Sequence, residues 1–552
     1  AGTGIGDPLT VDTPNITARS DAGDINLIDL RGLDSSDFDA KRGSVHAVIH
    51  GDFHFNAIRT GQNVTGRADG NVDGTQVDAP TGTVDLSAGG AMDLGTVDSG
   101  RDQSLTAAGD LAFTTLTSGA DVTGTSTGGA VKGGSVDARG SVDLNAAQAV
   151  GFDTVSAGQD VDLKAGTSLT GNQLTATGGD VNAVAGTDLD IKHVRAGGSG
   201  SLTAGAGMQF DSVSAGQDAD LKAGTSLTGN QLTATGGDVN AVAGTDLDIH
   251  HVRAGGSGSL TAGAAMHFDT IAVGKDLALK AAGSMNFGGL NVGDGLSMDS
   301  TNGSITGTRL SADHASLSAL HRIDVQSANV ARRLNLAADD GVNVNATQAG
   351  NAPASVGGAG PASPLVMTVT GYRNGVARKV QLSVDAPAGL DLQRLAGANT
   401  VLQTSARRVD MKQADVPETL RLITPVTELL VDNTTPRLSN VDVQLTEPDH
   451  GFRLLQNGIR TTTTAYVMHY ARGYEVEVPN FDQPHRALAP MYRGESAVRY
   501  TFRGMSLDLA SGTRRRFERQ SPSYAGILQR VIAWPNPVSL QGTSGPAVNP
   551  GP

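Results

Sequence analysis

The chain has 552 residues, 73 of them glycine, with 4% aromatic residues, 18% charged residues and a formal net charge of −15. Nucleic-acid phosphates would repel that charge, and the absence of cysteine excludes disulfides, thiolate metal sites and thiol chemistry. Val, Leu and Ala nevertheless recur too steadily for a disordered chain, so the composition describes many tight turns around a thin, evenly filled core.

The first residues, AGTGIGDPLT, hold no signal-peptide core, and no apolar run in the chain reaches the length of a membrane span. They begin in mid-pattern, which reads as a piece of something longer. From about residue 15 to 345 the text repeats itself. Ser156 opens SAGQDVDLKAGTSLTGNQLTATGGDVNAVAGTDLDIKHVRAGGSGSLTAGAGMQFDSV, and Ser214 opens the same text with six substitutions; Phe152, Phe210 and Phe268 mark the 58-residue period. Glycine corners divide that unit into three, at Gly158-Gln159-Asp160, Gly179-Asp180, Gly197-Gly198 and Gly216-Gln217-Asp218. The spacing of about 19–20 residues is that of one solenoid turn.

Between corners the pattern has period two. Val161 and Leu163 alternate with Asp160, Asp162 and Lys164, and Leu189 and Ile191 alternate with Asp188, Asp190 and Lys192. Such short half-buried strands cannot form a core alone, but stacked coil on coil they place Val on Val and Leu on Leu. The pattern predicts an all-β, right-handed parallel β-helix (β-solenoid) over residues 1–345, the hand following from the preference for right-handed parallel crossovers. A sandwich or propeller would need longer strands, more aromatic residues and other periods.

Residues 346–365, rich in Pro, Gly and Ala, read as a linker or loop. Beyond them the composition changes: there is no Tyr before Tyr372, no Glu before Glu418, and the single Trp is Trp534. Residues 366–433 read as an irregular continuation of the solenoid. Residues 434–552, with longer and more aromatic strands such as Thr464-Ala465-Tyr466-Val467-Met468-His469-Tyr470, read as a β-rich cap or as an anchoring or binding segment.

The repeat text A-G-x-D-[VL]-x-L-x-A-G and the opening GIGDPLTVDTPNITARSDAGDINL resemble large two-partner-secretion exoproteins of the filamentous-haemagglutinin type. Leu429-Leu430-Val431-Asp432-Asn433 is similar to text near the C-terminal end of such adhesins. The resemblance implies a secreted protein on the outer cell surface of a Gram-negative bacterium. It implies export through an outer-membrane pore partner and a role in attachment, aggregation or biofilm matrix. The family's N-terminal secretion domain is absent, in keeping with a fragment. No Arg-Gly-Asp occurs, and the C-terminal Cys pair that anchors some relatives is missing.

The candidate contact residues are few. Tyr466, Tyr470, Tyr474, Tyr492 and Tyr500 offer flat faces that suit sugar rings or fill a small β core, and Arg514, Arg515 and Arg516 form the one basic run. Corner aspartates (Asp102, Asp121, Asp160, Asp180, Asp218, Asp238 and Asp276) are expected to bond backbone rather than calcium, since calcium β-rolls repeat at about half this period. Asp248 and His250 are expected beside His267 and Asp269 of the next coil, as a cross-strand charge pairing more than a metal site. Sequons stand at Asn15, Asn63, Asn302, Asn345 and Asn433. Short uniform turns leave no groove for paired catalytic carboxylates, so neither enzyme activity nor a cofactor is expected. The expected partners are the pore and a polysaccharide or a host or neighbouring cell surface. The stalk of a contact-dependent inhibition exoprotein and a β-helix polysaccharide lyase or hydrolase are the alternatives.

Overall fold

The computed structural model describes residues 5–348 and, apart from 374–375 and 387–388, residues 364–424; beyond 424 it describes the backbone of isolated strands between 428 and 519. The chain forms two compact units, Ala1–Gly274 and Lys275–Pro552. The described residues are all-β, with no helix and so none long and apolar enough to cross a membrane.

The first unit is a parallel β-solenoid of fourteen coils, each built from two of its twenty-eight strands. One coil shows the local logic. In Val161–Ala165 the inward Val161, Leu163 and Ala165 are buried while Asp162 and Lys164 are exposed. After the corner, Leu169–Ala176 buries Leu169, Leu174 and Ala176. Each residue then pairs in parallel with its equivalent one coil on, Val161 with Val181 and Leu169 with Leu189. Burying each Val or Leu is worth about 1.5–3 kcal/mol, but only because the coils above and below complete its surroundings.

Alternation fails at one place in every long strand. Positions four and five, such as Lys192 and His193, both face out, except that Ala57 of Phe53–Thr60 is buried. Position four drops out of the ladder: Phe152 pairs with Gly171, and the next pair is Thr154 with Gln173. The chain bends there, so a coil has three straight runs and three outer faces.

The 58-residue period is written in one core column, the third position of the long strand. It runs Phe152, Gly171, Ile191, Phe210, Gly229, Ile249, Phe268. A Cβ on Gly171 would collide with the ring of Phe152, and one on Gly229 with that of Phe210. The rings of Phe152 and Phe210 thus occupy the space left by the glycine one coil on, and three coils return the column to its starting size.

The second unit begins in the same manner, with Leu277–Ala281 on Gly295–Ser300. The strands then lengthen to Ile305–Ala319 and Arg322–Ala338. Their corner segments, Ala312-Asp313-His314 and Ala331-Arg332-Arg333, lack glycine, so the backbone stays extended and turns through a bulge between Ala312 and His314. Spacing becomes irregular: Val342 pairs with Val380 rather than with a residue about 20 positions on. The strand Gly341–Gln348 runs into the segment expected to be a linker, whose residues 349–363 lie outside the described residues. Parallel pairing continues to Glu428–Val431 with Phe452–Gln456, beside antiparallel pairs such as Phe452–Gln456 with Ala465–Met468 and Val498–Phe502 with Met505–Leu509. This is the less regular, β-rich C-terminal region that the sequence indicates.

Candidate binding surface

The corner aspartates do bond backbone, and they do so across coils. In Asp160 the Oδ1 accepts the N–H of Asp180 at 2.8 Å, and Oδ1 of Asp180 accepts the N–H of Ser199 at 2.7 Å. Asp218 and Asp238 repeat this in the second copy at 2.8 and 2.7 Å. Asp121 holds Ser141 at 2.7 Å, Asp102 holds Asp121 at 3.3 Å, and Asp276 holds Gly295 at 2.9 Å. At a corner the chain leaves the ladder, and the carboxylate supplies the acceptor that the turned amide has lost. With one oxygen engaged in this way, these aspartates serve as brackets between coils.

The predicted juxtaposition around His250 is present. Asp248 pairs with His267, and His250 Nδ1 lies 2.7 Å from Asp269 Oδ2, with His267 Nε2 at 3.7 Å from Asp269 Oδ1. The rings of His250 and His267 meet edge to face at 6.3 Å. The hydrogen bond to Asp269 raises the pKa of His250; partial desolvation opposes the shift, and the charges of Asp269 and Asp248 add to it. The same bond lowers the pKa of Asp269. His250, His267 and Asp269 are about half exposed, and among the described residues no group of three or more His, Asp or Glu side chains is arranged to hold a metal ion. The cluster is an axial link between two coils. His50 with Asp69 (2.9 Å) and His321 with Asp340 (2.8 Å) make links of the same kind elsewhere.

The three outer faces of coils 150–273 differ in charge. The short strands present Asp162 and Lys164, or Asp220 and Lys222. The first half of the long strands presents Asp153, Asp190, Asp211, Asp248 and Asp269. The second half carries no acid on any of seven coils. Its outward residues are Thr154 and Ser156, Gln173 and Thr175, His193 and Arg195, Ser212 and Ser214, Gln231 and Thr233, His251 and Arg253, then Thr270 and Ala272. A strict period-two reading hides this face, because the bend at positions four and five shifts its phase; the doubled outward pair in Lys192-His193 is the signal that reveals it.

Of the residues singled out in the C-terminal segment, Tyr466 and Tyr500 fall on the strands Ala465–Met468 and Val498–Phe502, whose side chains lie outside the described residues. Tyr470, Tyr474, Tyr492, Arg514, Arg515 and Arg516 lie outside them altogether. Two sequon asparagines are already engaged: Asn63 Oδ1 accepts the N–H of Thr83 at 3.0 Å, and Asn345 Nδ2 donates to the carbonyl of Gln326 at 2.8 Å.

No protein-family model, no curated protein and no solved structure matches the chain.

Proposed function

We propose that the chain is the stalk region of a secreted, surface-displayed adhesin that mediates attachment, aggregation or biofilm-matrix contacts. The observation that carries this reading is the uniformity of the first unit. Its coils repeat at 19–20 residues with corners of a few residues, and from Phe152 to Phe268 its third core column recurs as Phe–Gly–Ile. Such a fold extends by adding like coils and presents broad outer faces. A catalytic groove would require long inserted loops to wall it and carboxylates gathered across it; the short corners of this unit supply neither, and we read the stalk as non-catalytic. The sequence resemblance to filamentous-haemagglutinin-type exoproteins supports the finer assignment, with export through an outer-membrane pore and display on the cell surface.

The test is to coat beads with the full 552-residue chain and to measure their adhesion to bacterial and host cells and to a glycan array, with the supernatants assayed for released sugars. Adhesion without product release is the expected result. Released oligosaccharides would replace this reading with that of a β-helix lyase or hydrolase. Growth arrest of contacted cells without adhesion to glycans would favour the contact-dependent inhibition stalk.

A further inference from the structure

The chain carries 56 acidic residues, yet the second half of the long strands shows none on seven successive coils, from Thr154 to Ala272. Its cations are Arg195 and Arg253, both exposed, and among the described residues neither enters an ion pair. They are equivalent residues of the two 58-residue copies, three coils apart, or about 14 Å at the usual spacing of parallel strands. Two residues before each arginine stands a histidine whose Nδ1 is held by a hydroxyl of the next coil, His193 by Ser212 at 2.9 Å and His251 by Thr270 at 2.8 Å. That bond orients the ring and leaves Nε2 free for a ligand. Seven hydroxyls and two amides fill the remaining outward positions, apart from Ala272.

We propose that this face is a binding strip for a linear anionic polysaccharide lying along the solenoid, with Arg195 and Arg253 taking its acidic groups. Guanidinium forks recognise carboxylate or sulfate through paired hydrogen bonds, while the histidine, hydroxyl and amide groups between them match sugar hydroxyls. The strip is about 29 Å long over seven coils, enough for several sugar units. Its borders are acidic, and seven of the acids there are occupied. Asp160, Asp180, Asp218 and Asp238 accept backbone amides, Asp153 and Asp211 accept from Asn172 and Asn230 at 3.3 Å, and Asp269 holds His250. They would confine an anionic polymer to the centre line rather than bind it. The proposal rests on the adhesive reading and assigns it a face and a ligand class.

The experiment uses the full chain and three soluble polymers of matched length: polygalacturonate, dextran sulfate and neutral dextran. Retention of an acidic polymer but not of neutral dextran is expected, and the tighter of the two acidic polymers assigns carboxylate or sulfate. The double variant Arg195→Ala/Arg253→Ala should weaken binding tenfold or more. Lys164→Ala/Lys222→Ala, which removes the same charge from the short-strand face, should change it less than twofold. Circular dichroism checks that both variants are folded. Equal loss in both variants, or no loss in the arginine variant, overturns the strip; the adhesive reading survives if the wild-type chain still adheres to cells. A wild-type chain that retains no polymer and no cells overturns both.

Discussion

Gly179 lies over the carboxylate of Asp160, one coil earlier, so closely that any Cβ at residue 179 would strike Oδ1. The pairing recurs as Gly140 over Asp121, Gly198 over Asp180, Gly237 over Asp218 and Gly256 over Asp238. Each of these brackets measures 2.7–2.8 Å. Where Ala120 replaces the glycine, over Asp102, the bracket stretches to 3.3 Å; Ala206 and Ala264, at the other corner, accompany bonds of 3.0 Å from Asp188 and Asp246. Where the corner residue is the smaller Ser141 or Ser199, the next coil accepts Gln159 or Gln217.

Gly179→Ala should therefore destabilise the chain by about 1–3 kcal/mol, the usual range for overpacking. Asp160→Ala, which leaves the Asp180 amide without its acceptor, should lose about 1 kcal/mol. The two losses should not add in full: without the Asp160 carboxylate, an alanine at 179 is relieved of its tightest clash and keeps only those with the backbone of Gln159 and Asp160, at 2.7 and 2.9 Å. Urea midpoints of the two single variants and the double variant measure the coupling, and simple additivity would refute the bracket.

The core column makes a second coupled pair. Gly171→Ala should be strongly destabilising because its methyl meets the Phe152 ring. Phe152→Leu alone should lose about 1 kcal/mol or more through the space it leaves. Joined, the two changes should be milder than their sum, since each relieves the other. Thermal unfolding of the three proteins decides it.

A pH dependence follows from the His250 link. His250 has its pKa raised in the folded chain, so its stabilising contribution is complete below the ordinary histidine value and is lost as pH rises through the raised one. Asp269 has its pKa lowered, so its contribution is present above the ordinary aspartate value and is lost as pH falls through the lowered one. The link is strongest between those limits. An NMR titration should place the His250 imidazole above the usual histidine range, and Asp269→Asn should move it back; an unmoved titration would falsify the link.

Asp143 presents the opposite sign. Burial, and then the Asp162 carboxylate on the next coil, raise its pKa. Asn182 donates to Asp162 at 3.1 Å, while no such donor is found for Asp143 among the described bonds. Asp143→Asn should stabilise the chain at neutral pH, and the gain should fade as pH falls through the raised value and vanish below the ordinary one. Melting curves at neutral and acidic pH, compared with the parent, test this.

Removal of residues 214–271 should leave a folded solenoid shorter by three coils, because it takes out one complete Phe–Gly–Ile set and rejoins equivalent residues of the two copies. Circular dichroism and urea unfolding should show a β signal and a cooperative transition like the parent's, and the loss of either would refute it. Removal of ten residues from the same region shifts the chain by half a coil and should prevent folding.

Much of this was legible in the sequence, because a solenoid writes its packing at a fixed period. Val161 and Leu163 announce the strand, and the 58-residue repeat announces the stack. A shift of 19 residues was enough to place His250 beside Asp269. Other features depend on pairs that are distant in sequence and small in composition. That Gly179 answers Asp160 is visible only once coils are aligned, since each residue alone reads as ordinary corner text. The acid-free face was hidden by the bend at Lys192 and His193, and the fused strands Ile305–Ala319 and Arg322–Ala338 by corners that keep an extended backbone without glycine. The C-terminal tyrosines and arginines belong to text without a period, where no coil alignment assigns a neighbour.

The bracket rule also governs how such a gene can change. A coil that ends its corner in Asp is followed by one that opens its own with Gly or Ala in every described bracket but that of Asp276, where Asp294 stands, whereas a Ser corner admits Gln. Neighbouring coils are therefore not interchangeable cassettes: exchanging one for the next sets a bulky side chain over a carboxylate or leaves an amide unanswered. Recombination between the near-identical copies avoids both faults, because every junction it makes already exists. Heritable variation in the reach of this molecule should then come in whole three-coil steps, with single-coil gains and losses removed by selection.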